Sequence, residues 1–213
     1  MEAKSLFALL MVLAVVSFMG FVVENVWLAA TKGYMDNRNA FFPFLMGYGI
    51  AILLIHIIVG TPKKLWLFGK VLAIKSMVAR KILFLLVAIL CVCVGEIILG
   101  TLVEKFCHFS WWDYSRLPLH ITKYTSIPTS IAFGLLISVF MEYCFEPLYW
   151  FFMEWKEPML SVWAIFITAL MTWDFVYHGI KMYQQHGIVK RWRIDTTSWR
   201  VYRRLHEVDV VTE

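Results

Sequence analysis

The chain has 213 residues, of which 61% are hydrophobic and only 16% charged, with a formal net charge of +5 and a mean hydropathy of +0.70. A soluble domain of this length has too little interior to hide that much apolar surface, so lipid is the expected solvent. The basic surplus suits anionic headgroups, and with no foldable soluble module to carry it, nucleic-acid binding is not expected.

Five apolar runs are long enough to cross a bilayer core, which takes about 20 helical residues. They cover 5–30, 41–60, 82–103, 126–149 and 160–182. Backbone groups in lipid must be satisfied within the segment, so each run is read as a helix. The fold class is therefore all-α: a polytopic membrane helix bundle of about five transmembrane helices. The first run is longer than a signal-peptide core, has no Ala-x-Ala site after it, and carries Glu24. It is expected to be a retained helix.

Between the second and third runs, Lys63, Lys64, Lys70, Lys75, Arg80 and Lys81 alternate with apolar residues. The segment 61–81 reads as an amphipathic surface helix, cytoplasmic by the positive-inside rule. That places the N-terminus in the cytoplasm and the loops 31–40 and 104–125 outside, in a multi-pass protein of the cell (plasma) membrane. The tail, with Lys190, Arg191, Arg193, Arg200, Arg203 and Arg204, disagrees. An odd helix count puts it outside, so either the fifth run does not fully cross or the tail is a tolerated exception. Its alternation around Trp192, Ile194, Trp199 and Val201, with a turn signal at Asp195-Thr196, suggests a short interfacial hairpin. The expected division is a four-helix core at 1–156, a peripheral fifth helix at 157–184 and a basic interfacial tail at 185–213.

A weak repeat runs through the first four helices. Glu24, a loop with Asn37-Arg38, then Pro43 is followed by Glu96, a loop with Asp113, then Pro118. Two halves related about an axis along the membrane normal would look like this.

The intramembrane carboxylates are the first functional candidates, because a charge facing lipid is costly. Glu24 and Glu96 lie towards the same ends of their helices. Glu96, Gly100 and Glu104 share one face at four-residue spacing, and the glycine admits a second backbone. Arg38 is placed to pair with a glutamate or to bind a phosphate or carboxylate group. In Trp111-Trp112-Asp113-Tyr114-Ser115, Asp113 accepts hydrogen bonds, Tyr114 donates one, and the tryptophans anchor the loop at headgroup level. Glu24, Arg38, Glu96 and Asp113 are expected to converge on one polar pocket open to the outer leaflet.

Other groups read as structural. Cys91, Cys93, Cys107 and Cys144 form no Cys-x-x-Cys. His108, Asp113 and His120 fit no standard metal-ligand spacing. Asp174 and His178 share a face of the fifth helix as an ion pair, and His56 is a packed or lumen-facing residue. No cofactor and no metal is expected.

Gly20, Glu24, Lys32-Gly33, Asn37-Arg38, Phe42, Pro43 and Tyr48-Gly49, followed by Glu96, Gly100, Glu104 and Trp112-Asp113-Tyr114-Ser115, resemble the bacterial ABC-transporter type IV (CmpB-type) membrane family. A small group of vertebrate four-helix transmembrane proteins is similar in the Trp-Asp-Tyr-Ser loop. The resemblance covers about residues 18–140. It departs at His120-Ile121-Thr122, where the family has Asn and Gly, and at Phe133-Gly134, where it often has Trp-Gly. The resemblance implies a membrane fold more firmly than a reaction. Glu24, Asn37, Arg38, Tyr48, Glu96, Glu104, Trp112, Asp113 and Tyr114 are the ligand-binding candidates.

Three functions compete. The first is a permease or transporter subunit that binds a small polar solute or lipid headgroup. The second is an intramembrane lipid-modifying enzyme with Glu96 or Asp113 as base, and the third a non-catalytic assembly or sensor protein. The chain has no Gly-rich phosphate loop and no Ser/His/Asp order, which favours a non-enzyme. Expected partners are membrane lipids, a separate ATPase or other membrane subunit, and further copies of the chain.

Overall fold

The computed structural model describes residues 3–196 and the backbone of 200–202 and 207–209. Three helices are each long and apolar enough to cross a membrane: α1 (Ala3–Lys32), α3 (Met77–Cys107) and α6 (Glu157–Gln185). A fourth crossing is available if α4 (Ile127–Tyr143) and α5 (Phe145–Met153), bent by 44°, count as one broken span. The bend falls at Cys144 because Pro147 has no N–H for the carbonyl of Tyr143 and its ring clashes with it. The all-α membrane architecture agrees with the sequence reading.

The second run behaves differently. Its helix, α2 (Met46–Val59), has 14 residues, about 21 Å at 1.5 Å per residue, short of an apolar core about 30 Å thick. The missing turn is in the loop before it. Pro43 resists helical continuation there, and the Asp174 carboxylate takes the N–H groups of Phe41 at 3.0 Å and Phe42 at 2.9 Å.

The basic segment is not the expected surface helix. Strands β2 (Trp66–Leu67) and β3 (Lys70–Val71) form a hairpin. Phe68 and Gly69 both have positive φ, 48° and 82°, as a two-residue type I′ turn requires. That turn chemistry outweighs the helical spacing of the lysines.

The chain falls into two compact units. The first comprises Met1–Ile50, Phe106–Phe109 and Trp155–Glu213. Here α1 packs along α6, and Leu9, Val12 and Ala14 on α1 and Leu160, Ala164 and Met171 on α6 are buried. The last long helix is thus grouped with the first, where the sequence reading put it outside a four-helix core. Strand β1 (Tyr34–Asp36) pairs antiparallel with β7 (Arg193–Asp195), and β7 with β8 (Arg200–Tyr202), so the tail contains the expected hairpin. β6 (Ile188–Lys190) pairs with β9 (Glu207–Asp209). Because β1 follows α1 and β7 follows α6, both helices end on the same side. The tail therefore shares its side with loop 33–45. Trp199, Arg203 and Arg204 lie outside the described residues.

The second unit comprises Ala51–Lys105 and Ser110–Glu154. α4 starts with a capping box between Ser126 and Thr129 and approaches α3 closely where Gly134 meets Ile89. Lys81 at the start of α3 pairs with Glu142 near the end of α4 at 2.5 Å. Strands β4 (His120–Thr122) and β5 (Thr125–Ser126) form a tight hairpin ahead of α4. Ile82, Leu86, Leu90, Val94 and Ile98 make an exposed stripe along α3, as a lipid-facing helix should.

Candidate functional site

In the first unit, Glu24 is the hub. Its Oε1 accepts the Tyr48 hydroxyl at 2.5 Å, and its Oε2 accepts Arg38 Nη2 at 3.1 Å. Gly20 makes this reachable. A Cβ there would stand 2.5 Å from Cγ of the Tyr48 ring, so only a glycine lets the ring lie on α1 and its hydroxyl arrive one turn further along. Gly49 likewise brings the start of α2 against Leu13 and Ser17.

Arg38 is held from behind by its own loop. Its φ is +48°, and its backbone N–H donates to Asp36 Oδ1 at 2.8 Å. Its Nη1 lies 3.8 Å from the same oxygen. Asp36 is 2% exposed and is anchored through its own N–H, which donates to Asn25 Oδ1 at 2.8 Å. Arg38 and Glu24 each remain about a quarter exposed, at 23% and 24% of their side chains. Arg38 Nε is buried and has no acceptor among the described residues. Five N–H donors with so few acceptors leave capacity for an oxyanion.

Asn37 has a different task. Its amide donates to the carbonyls of Ala40 at 3.1 Å and Val189 at 3.0 Å, and its oxygen accepts the Arg191 N–H at 2.9 Å. Asn39 accepts from Val189 N–H at 2.8 Å. The two asparagines tie the motif loop to the chain after α6. Beside them, Phe41 lies under the Arg191 guanidinium at 3.2 Å and stacks on Trp173 at 5.4 Å. Asp174, which holds the Phe41 and Phe42 amides, also pairs with His178 Nδ1 at 2.7 Å. The ion pair expected from sequence thus also shapes the loop that carries Arg38.

In the second unit the hub is Glu104. Its Oε1 accepts from Lys123 and its Oε2 from the Tyr124 hydroxyl. The Tyr124 ring lies on Gly100. Trp112 Nε1 donates to the Tyr124 carbonyl at 2.8 Å, and the Tyr114 N–H to the Lys123 carbonyl at 2.7 Å. The Trp-Asp-Tyr-Ser loop therefore buttresses the hairpin that carries Lys123 and Tyr124. Asp113 is exposed and turns back on its own loop, accepting Ser115 N–H at 2.7 Å. Those Ser115 bonds hold its carboxyl below the usual aspartate range. The Glu104 carboxylate holds the Lys123 ammonium above the usual lysine range, and burial raises the Tyr124 phenol.

The structure thus gathers Glu24, Arg38 and Tyr48 in one unit, and Glu104, Trp112 and Tyr114 around one hairpin in the other. Glu96 is half-buried on α3, four residues before Gly100. Lys123, Tyr124, Asp36 and Asn25 were not singled out by sequence. The signal for the first two was present: Gly20-Phe-Val-Val-Glu24 recurs as Gly100-Thr-Leu-Val-Glu104, which aligns Glu24 with Glu104 rather than with Glu96. Among the described residues, no group of three or more His, Cys, Asp or Glu is placed to hold a metal ion.

No curated protein and no solved structure matches the chain. A family model described as "Putative ABC-transporter type IV" matches residues 11–178. The match runs from within α1 almost to the end of α6 and takes in both glutamate hubs. By that match, which covers most of its length, the chain belongs to the ABC-transporter type IV (CmpB) membrane family.

Proposed function

We propose that this chain is the membrane-spanning subunit of a transporter, and that Glu24, Arg38 and Tyr48 bind the oxyanion of a small polar solute or lipid headgroup. The observation that carries this is the Arg38 side chain. It is fixed by Glu24 and by its own loop, is still partly open, and has a buried Nε–H without an acceptor among the described residues. A buried donor left unsatisfied is costly, and an arriving oxyanion removes that cost. Glu24 and Tyr48 act as positioning residues. The chain carries no phosphate-binding loop of its own, so an ATPase partner would be a separate polypeptide, and the basic hairpin region 61–81 is the surface it would meet. The family membership supports this reading.

Thermal unfolding in maltoside micelles tests it. Phosphoethanolamine and glycerol 1-phosphate are the probes, because ligands that bind only the folded state raise Tm by mass action. At least one should raise the Tm of the wild type and leave Arg38→Gln unmoved. An equal shift in both proteins, or none in the wild type, removes Arg38 from the binding site.

A further inference from the structure

The two glutamate hubs are built on one plan. In each, a glycine on a long helix receives a tyrosine ring, Tyr48 on Gly20 and Tyr124 on Gly100. In each, the glutamate four residues later takes that tyrosine's hydroxyl on one carboxylate oxygen and a cation on the other. The tyrosine and the cation always come from the chain that follows the helix. The sequence spacings differ, 14 and 24 residues from Glu24 against 19 and 20 from Glu104. Shared geometry reached through different loops argues that the geometry itself is what the chain retains.

Each cluster keeps unused donors. Arg38 has its Nε–H. Lys123 has three N–H groups, with the Glu104 carboxylate and the Tyr124 hydroxyl as its partners, and its side chain is 37% exposed, so it keeps donor capacity. Each cluster also presents a carboxylate beside its cation. A purely anionic ligand would be drawn to the cation and repelled by the carboxylate. A purely cationic ligand meets the reverse, and a ligand carrying both charges meets neither.

We propose that Glu104, Lys123 and Tyr124 form a second binding clasp equivalent to Glu24, Arg38 and Tyr48, and that each clasp takes one phosphate-and-ammonium zwitterion of the phosphoethanolamine type. The second clasp rests on the reading of the first as a ligand site. The phosphate lies on Arg38 or Lys123 and the ammonium on Glu24 or Glu104. The same chemistry is offered by a free phosphoethanolamine and by the headgroup of an aminophospholipid.

Native mass spectrometry of the full chain in maltoside micelles counts the occupants. Phosphatidylethanolamine and free phosphoethanolamine are added separately, with phosphatidylglycerol as the anion-only control. The wild type should retain two molecules of one of the zwitterionic probes, and whichever is retained identifies the source. Lys123→Gln should retain one, Arg38→Gln one, and the double variant none. Lys123→Arg, which keeps charge and donors, should return the count to two and guards against a folding defect. Two molecules retained by Lys123→Gln would overturn the second clasp while leaving the Arg38 site standing. Two retained by Arg38→Gln would overturn the first reading instead. Equal retention of phosphatidylglycerol would overturn the zwitterion, and no retention by the wild type would overturn both clasps.

Discussion

Tyr48 reaches Glu24 across the space that Gly20 leaves on α1, donating its hydroxyl at 2.5 Å while its ring rests on the glycine. Gly20 and Glu24 on α1 and Tyr48, 24 residues beyond Glu24, therefore act as one unit, since a side chain on Gly20 displaces the ring and the ring carries the hydroxyl. The same dependence joins Gly100, Tyr124 and Glu104.

Gly20→Ala and Gly100→Ala should each destabilise the protein by about 1–3 kcal/mol, the usual cost of forcing a methyl into a packed contact. The obstructing atoms include Cβ and Cγ of the tyrosines, which lie too close to the backbone to swing aside. Gly95→Ala is the control, because nothing lies within 4 Å of its added Cβ. Chemical unfolding in micelles reads the difference. Equal stability of all three variants would mean that the tyrosine rings do not need the glycines.

Asn37→Ala should free the tail from the motif loop. The side chain is 2% exposed and makes three hydrogen bonds to backbone, and groups left buried without partners cost about 1–3 kcal/mol. Hydrogen exchange at Arg191, whose N–H donates to Asn37, should rise strongly, while exchange within α3 stays as in the wild type. Unchanged protection at Arg191 would show that Asn39 and the strand pairing hold the tail without Asn37.

Asp174→Ala should cost about 3–5 kcal/mol, the range for removing one partner of a buried pair. His178, which is 3% exposed, loses its charged partner, and the Phe41 and Phe42 amides lose their acceptor. Asp174→Asn, which keeps one acceptor oxygen, should lose less. An alanine variant as stable as wild type would show that loop 39–45 does not depend on α6.

Lys123 yields a pH prediction. Its ammonium is held above the ordinary value of 10.5 by the Glu104 carboxylate. A raised folded value means the contribution is complete below the ordinary lysine range and is lost as pH rises through the folded value. The pair is partly exposed, so the stabilisation is small. Trp112, whose indole N–H binds the Tyr124 carbonyl, is the reporter. Its emission should stay constant to about pH 10 and change above it. Lys123→Gln should abolish the change attributable to the lysine. A variant with the same alkaline transition would assign it to Tyr124 instead.

Several features were legible in the residues. The apolar runs located α1, α3 and α6, because the cost of exposing a polar backbone to lipid leaves little alternative to helix. The run at 41–60 misled, because apolar composition does not reveal that the first residues are held in a loop by Asp174, 132 residues away from Phe42. The lysine spacing at 63–81 misled as well. Phe68-Gly69 is a weak turn signal by composition, and the positive φ at Phe68 is a conformation few sequences announce. Asp113 looked like a pocket residue but serves its own turn, as aspartates often do.

Membrane partition, helical class and the stock of intramembrane carboxylates were determined by the sequence alone, because each follows from transfer free energies that add residue by residue. Which partner each carboxylate takes was decided only by tertiary structure. Glu96 and Glu104 lie two turns apart on α3 and are equally plausible by type. Glu104 is the one set four residues beyond the glycine on which Tyr124 rests, and only there does the hairpin bring a hydroxyl and an ammonium to the same carboxylate. A short-range, directional interaction is selected by where the backbone passes, and that is a property of the packed chain rather than of its composition.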